Sequence, residues 1–245
     1  MAFLRQISNP LLAVFYPHEC SLCGKSVEAI ELGDVCQQCW EKSEIFDGSE
    51  TICFRCGLVL ANSPNSPIER PIFCRACDEL SFAAARAIGI YDGALRATVL
   101  KLKREPLVSE KLKDLLFAAF NQTPINQATK IIAVPLHEKR FRERTFNQAA
   151  VLAECLSKKS NLEVLENCLI RSVHTQMHRA GMDERGRRES VEKSFEVKNA
   201  RLIENEKILL VDDVFTSGST ASACAKILKE KGASDVFVLT IARAR

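Results

Sequence analysis

The stretch Ile208-Leu209-Leu210-Val211-Asp212-Asp213-Val214-Phe215-Thr216-Ser217-Gly218-Ser219-Thr220 joins an apolar run, an acid pair and a hydroxyl-rich loop. The apolar run reads as a strand covered on both faces, and Ala221 to Lys231 carries an amphipathic helical pattern ending at Gly232. The loop therefore opens a helix, where the amides of Ser217, Gly218, Ser219 and Thr220 lack intrahelical acceptors and the helix dipole favours an anion. Hydroxyls on Thr216, Ser217, Ser219 and Thr220 add donors for a phosphate. Asp212 and Asp213, at the carboxyl end of the strand, suit sugar hydroxyls or a divalent metal. One sugar phosphate satisfies both halves, while an ordinary capped turn is the plainer reading of the same residue types.

The stretch resembles the phosphoribosyl pyrophosphate (PRPP) signature of type I phosphoribosyltransferases, in which two acids precede a Thr/Ser/Gly phosphate loop. It is not a Walker loop, because Gly218 is followed by Ser219 and Thr220 rather than by Lys. The resemblance assigns Asp212 and Asp213 to the catalytic centre, Thr216 to Thr220 to the 5′-phosphate, and Mg²⁺ to the bound PRPP.

Eight of the eleven cysteines form four CxxC pairs: Cys20/Cys23, Cys36/Cys39, Cys53/Cys56 and Cys74/Cys77. Each CxxC turn aims two sulfurs at one centre, so two pairs supply the four thiolates of a tetrahedral zinc site, and two structural zinc ions are expected. Pairing in sequence order closes the shorter loops, although interleaved pairing is also compatible with the spacing. Gly24 and Gly57 each follow the second Cys of a pair, which suggests two related zinc ribbons. An iron–sulfur cluster would use the same ligands, and a disulfide framework or a redox CxxC fits the four repeats less well. His18 is read as a neighbour of the metal, and Cys155, Cys168 and Cys224 as small core residues.

Length and composition accommodate a metal-stabilised module at residues 1–80 and one α/β domain at 81–245, with separate hydrophobic sources. The apolar start, Leu11 to Phe15, is short and lacks a cleavage site, so a reduced, cytoplasmic location without a transmembrane segment is expected. Net charge is +3, too small by itself to define a nucleic-acid surface. Asn62 to Pro67 reads as a loop of the second ribbon. Beyond it, strands are expected at Ile88–Tyr91, Ile131–Val134, within Leu162–Arg171, at Ile208 and at Val236–Ile241. Helices are expected at Gly93–Arg104, Ser109–Asn121 and about Phe146–Lys158. This alternation predicts a mainly parallel sheet flanked by helices.

After the Ile131 strand, Val134-Pro135-Leu136-His137 leads into a cationic run containing Lys139, Arg140 and Arg144. Amides of the loop and guanidinium groups suit a pyrophosphate, whereas a solvated basic helix start is the plainer alternative. Pro135, Leu136, His137, Arg140 and Arg144 are the candidate pyrophosphate residues.

Val134 to His137, Arg140, Arg144 and Phe146-Asn147-Gln148-Ala149, with the Asp212 loop and the amino-terminal cysteines, resemble the ComF/GntX family over nearly the whole chain. The likeness extends to Tyr91, Gly93 and Lys103 and to Thr175, Gln176, Arg187, Val191 and Phe195. Thr145 stands where the family usually has Gly, and Ser190 where it usually has Asn. The resemblance implies a type I phosphoribosyltransferase-like fold with an amino-terminal double zinc ribbon and an association with natural competence. PRPP, single-stranded DNA and the DNA-uptake machinery are the implied partners. It leaves open pentosyl transfer to an acceptor, non-catalytic PRPP sensing, or nucleic-acid binding on a transferase scaffold. By analogy with related transferases, Arg179 to Arg188 has the composition of a mobile lid, with a disordered, solvated loop the equal alternative.

Overall fold

The computed structural model describes residues 18–60, 71–171 and 194–245. Leu11–Phe15, Asn62–Pro67, Ser190, the Thr175–Val191 positions of the family likeness and the Arg179–Arg188 segment lie outside the described residues.

Five parallel strands form the main sheet in the order β1 (Ala84–Ile90), β7 (Asp235–Arg243), β6 (Lys207–Phe215), β2 (Lys130–Ala133), β3 (Glu163–Val164). A separate antiparallel pair joins β4 (Leu169–Arg171) to β5 (Phe195–Val197). The helices are α1 (Gln37–Glu41), α2 (Gly93–Leu102), α3 (Glu110–Phe120), α4 (Glu138–Arg144), α5 (Gln148–Ser160) and α6 (Ser219–Glu230). Ser109 Oγ caps α3 by accepting from Leu112 N–H, and Asn147 Oδ1 caps α5 by accepting from Ala149 N–H.

Ile208 to Val211 are fully buried because the sheet is covered on both faces. Successive residues alternate between two cores, as the pleat requires. Leu209 and Val211 join Phe237, Leu239, Leu152 and Leu156 on one face, whereas Ile208 and Leu210 join Val236, Val238, Cys224 and Leu228 on the other. Cys168 and Cys224 are buried, as expected of core residues, and Cys155 is half-buried.

Separate hydrophobic sources for ribbons and sheet are not what the fold uses. Cys20, Val27, Val35, Cys36 and Trp40 of the first ribbon belong to the core containing Leu209, while Cys53, Cys56 and Cys77 of the second belong to the core containing Ile208. The ribbons thus straddle the sheet, one attached to each face. Between them, Glu44 to Phe46 runs antiparallel along the outer edge of β1: Phe46 N–H donates to Ile88 O, and Ile90 N–H donates to Glu44 O. Gly89 permits this crossing, since a Cβ there would lie 2.0 Å from Glu44 O.

Candidate functional site: acid pair, phosphate loop and two thiolate clusters

Each set of cysteines converges in chain order, Cys20/Cys23 with Cys36/Cys39 and Cys53/Cys56 with Cys74/Cys77, every sulfur lying within 4.8 Å of the others in its set. Sulfur separations of 3.6 Å for Cys23–Cys36, 3.5 Å for Cys53–Cys77 and 3.6 Å for Cys56–Cys74 exclude disulfides. They are close to the ~3.8 Å edge of a zinc tetrathiolate. The two ribbons repeat one local design. Cys20 N–H donates to Lys25 O and Gly24 N–H to Cys20 O; Cys53 N–H donates to Leu58 O and Gly57 N–H to Cys53 O. Gly24 and Gly57 both take left-handed backbone, φ 71° and 70°, as the turn demands.

Burial acts to raise the Cys20 thiol, but N–H groups of Cys36, Leu22 and Cys23 outweigh it and hold the thiol down to about 6. Cys53 is held at about 7 by N–H groups of Cys56 and Cys74 working against burial. Each cluster therefore contains one thiol poised to ionise and bind metal at neutral pH. His18 is not a ligand: its Nε2 lies 2.9 Å from Gly33 O.

The second site lies where β2 and β6 part. β2 pairs with β6 only as far as Ala133 opposite Val211, with Val134 N–H then donating to Val211 O. Asp212 and Asp213 come next along β6, paired on the β7 side alone, and so border an open crevice at the carboxyl ends of the strands. From β2 the chain turns outward through α5 to edge strand β3, while β6 lies on β2's other side; this is the topological switch point at which open α/β sheets bind ligands.

Burial, reinforced by the neighbouring Asp213 carboxylate, pushes Asp212 up to about 7 against the opposing pull of Asp213 N–H and Lys103. Asp213 N–H donates to Asp212 Oδ1 at 2.8 Å. Below the pair, Gly218 caps α6 with φ 77°, and a Cβ on it would lie 2.7 Å from Phe215 Cζ. Thr216, Ser217 and Ser219 are exposed, Thr220 is half-buried, and Ser217 Oγ donates to Ser219 Oγ at 3.1 Å. The helix starts at Ser219, two residues earlier than the amphipathic pattern marks, so the loop hydroxyls stand on its first turn.

On the facing side, Pro135, Leu136 and His137 form the half-buried loop before α4. His137 Nδ1 accepts from Lys139 N–H and caps that helix. Arg144 turns inward, donating to Gln148 Oε1 at 3.0 Å, whereas Arg140 stands exposed on α4. Gln148 is buried, with Nε2 lacking a hydrogen-bond partner. Asn147 Nδ2 donates to the Val134 carbonyl, tying this loop to α5. Asn147 is absent from the sequence-derived site; the signal for it is an Asn immediately before an amphipathic helix. Thr145, in place of the family's Gly, carries φ 66° at the α4 C-cap, so the substituted position is one that favours glycine.

Strand order, acid pair and hydroxyl-rich loop together define a type I phosphoribosyltransferase-like domain carrying an amino-terminal double zinc ribbon. Residues 11–80 match the family model of the double zinc ribbon domain. The chain is 28% identical over 221 residues to competence protein ComFC of Bacillus subtilis, covering 86% of this chain and 84% of that protein. It is 26% identical over 235 residues to DNA utilization protein YhgH of Escherichia coli O157:H7, covering 93% and 97% respectively. Among solved structures, glutamine PRPP amidotransferase from B. subtilis aligns at 15% identity with a TM-score of 0.36, over 60% of this chain and 26% of that chain. Over nearly its whole length the chain is thus similar to competence-related ComF proteins, with a double zinc ribbon domain at its amino-terminal end.

Proposed function

We propose that this protein binds PRPP at the crevice between β2 and β6 and acts in the handling of DNA taken up by the cell. The observation that carries the reading is the half-buried Asp212–Asp213 pair at the switch point, directly preceding a helix-start loop of exposed hydroxyls. In this reading Thr216 to Thr220 hold the 5′-phosphate, and Asp212 and Asp213 accept hydrogen bonds from the ribose hydroxyls. Pro135, Leu136 and His137, with Arg140 and Arg144, receive the pyrophosphate. Mg²⁺, when bound with PRPP, supplies further neutralisation of the diphosphate.

Held in this way, the C1–O bond to pyrophosphate lies where charge separation is supported at both ends. Asp212 and Asp213 favour positive charge developing on the ribose, and the Arg140 and Arg144 guanidinium groups favour negative charge on the leaving group. An incoming nucleophile then forms the new bond to the anomeric carbon. Residues 1–80 serve as the ribbon module and 81–245 as the transferase-like part, in a cytoplasmic protein whose open thiolates suit a reduced compartment.

Calorimetric titration with PRPP and Mg²⁺ tests the binding. Micromolar-range affinity is expected, lost in the Asp212→Asn/Asp213→Asn variant; unaltered binding in that variant would move the ligand elsewhere. Pyrophosphate release in the presence of pooled bases, nucleotides and DNA separates a transferase from a sensor.

A DNA contact is supported by exposed Lys139 and Arg140 on α4, by exposed Lys25 and Arg75 in the ribbons, and by the name of the E. coli relative. Single-stranded DNA is expected to bind with little sequence preference and to weaken steeply with salt. Because Arg140 and Arg144 serve both ligands, PRPP should compete partially. DNA affinity unchanged in Arg140→Ala/Arg144→Ala would take these two arginines out of the DNA contact.

A further inference from the structure

The phosphate loop is supported from beneath by the second zinc ribbon. At the end of β7, Arg243 is 8% exposed and donates Nη1–H to the carbonyl of Cys56 at 2.5 Å, across 187 positions of sequence. Its guanidinium lies 5.1 Å from the centre of the Phe215 ring. That ring packs edge-on against Phe82 at 5.9 Å and lies directly under Gly218, leaving no room there for even a methyl group. A parallel tie comes from the ribbon's exit segment: Ser81 N–H donates to Ser222 Oγ in the first turn of α6, whose own N–H donates to Gly218 O.

The charge pattern around this ribbon points the same way. A zinc tetrathiolate carries two net negative charges, which need compensation when buried. Three guanidinium groups grip the backbone of the second ribbon: Arg55 on Cys77 O, Arg86 on Phe54 O and Arg243 on Cys56 O, at 2.9, 3.0 and 2.5 Å. Of the three, Arg243 also touches the ring beneath the phosphate loop.

We propose that Arg243 and Phe215 are positioning residues that make the second zinc ribbon a structural part of the phosphate loop, so that metal in that ribbon and ligand on the loop stabilise each other. The order of contact is Cys56 carbonyl, Arg243 guanidinium, Phe215 ring, Gly218 backbone. Loss of metal frees the Cys56 turn, removes the acceptor that holds Arg243, and lets the ring drop from under the loop. Coupling of this kind is reciprocal: a ligand that orders the loop slows escape of metal from the second ribbon and leaves the first unaffected. The ligand half of this inference rests on the PRPP reading, whereas the structural half does not.

The test uses full-length, zinc-loaded protein and the variants Arg243→Met, Arg243→Lys and Phe215→Leu. Amide hydrogen exchange without ligand reads the loop directly. Residues 216–222 should exchange about tenfold faster in Arg243→Met and Phe215→Leu, with α5 unchanged and Arg243→Lys intermediate. Zinc release to a chromogenic chelator should be biphasic in the wild type, with saturating PRPP slowing one of the two phases and not in Arg243→Met. Loop exchange identical to wild type in both Arg243→Met and Phe215→Leu overturns the proposal. Should Arg243→Met not fold, Phe215→Leu exchange decides it. Should wild type bind no PRPP, the PRPP reading falls and loop exchange alone decides the structural claim.

Discussion

Lys103 Nζ lies 3.3 Å from Asp213 Oδ2, so a cation at the C-cap of α2 rests against the acid pair at the end of β6. The contact joins the region after the first strand to the crevice between β2 and β6. It gives Lys103, noted in the sequence only through a family likeness, a physical place beside the candidate ribose site. Replacing it by Met should weaken PRPP about tenfold by removing a charge from the crevice, and should move the Asp212 midpoint upward, since Lys103 draws it down. Calorimetry over a pH series measures both; an unchanged midpoint would disconnect Lys103 from the pair.

Asp212 ionises near 7 in the ligand-free protein, well above an exposed Asp. Its raised value means that the folded state retains a proton which the unfolded chain has already released, so this group's contribution to stability falls as pH rises from about 4 to 7. A ligand that requires the carboxylate must expel that proton. PRPP affinity should therefore drop about tenfold per pH unit below 7 and level off above it. Titrations at pH 6.5 in two buffers of different ionisation enthalpy should reveal proton release that disappears in Asp212→Asn.

Metal analysis should return two zinc ions per chain, with unequal consequences of removing them. Cys23 is exposed, whereas Cys77 is buried in the core containing Ile208. Cys23→Ser should lose one zinc with a modest fall in stability, while Cys77→Ser should lower global stability by about 3 kcal/mol or more. Equal denaturation midpoints for the two variants would contradict the embedding of the second ribbon in the sheet's core.

Thr145 is a β-branched residue held in left-handed backbone at φ 66°. Thr145→Gly should raise stability by about 1 kcal/mol, measured by urea denaturation, because glycine meets no Cβ penalty there. A loss of stability would mean that the Thr145 Oγ1 to Arg144 O hydrogen bond outweighs the strain.

Both thiolate clusters and the strand–loop–helix around Asp212 were legible because their signals are local: a repeated CxxC spacing, and an apolar run meeting a helical period. β1 was read as Ile88–Tyr91 but spans Ala84–Ile90. Its leading Ala residues carry little strand preference and become strand through pairing with β7. The single strand expected within Leu162–Arg171 is two short ones, separated by Asn167 at φ 55°, because the chain leaves the main sheet for the antiparallel pair. Lys103–Asp213 and Arg243–Cys56 had no local signal at all. Such contacts join distant segments through the folded sheet, and so did the merging of the ribbon and sheet cores that the sequence had suggested were separate.

The placement of β1 also orders events in time. It is the earliest strand of the sheet and pairs with β7, the latest, so the sheet closes only when segments some 150 residues apart have met. On its other side β1 is already bordered by Glu44 to Phe46, which lie between the two ribbons and precede it in the chain. Glu44 to Phe46 thus leave β1 with one edge satisfied and a single open edge to await its partner. The amino-terminal module in this sense covers one edge of the sheet's first strand with chain that precedes it.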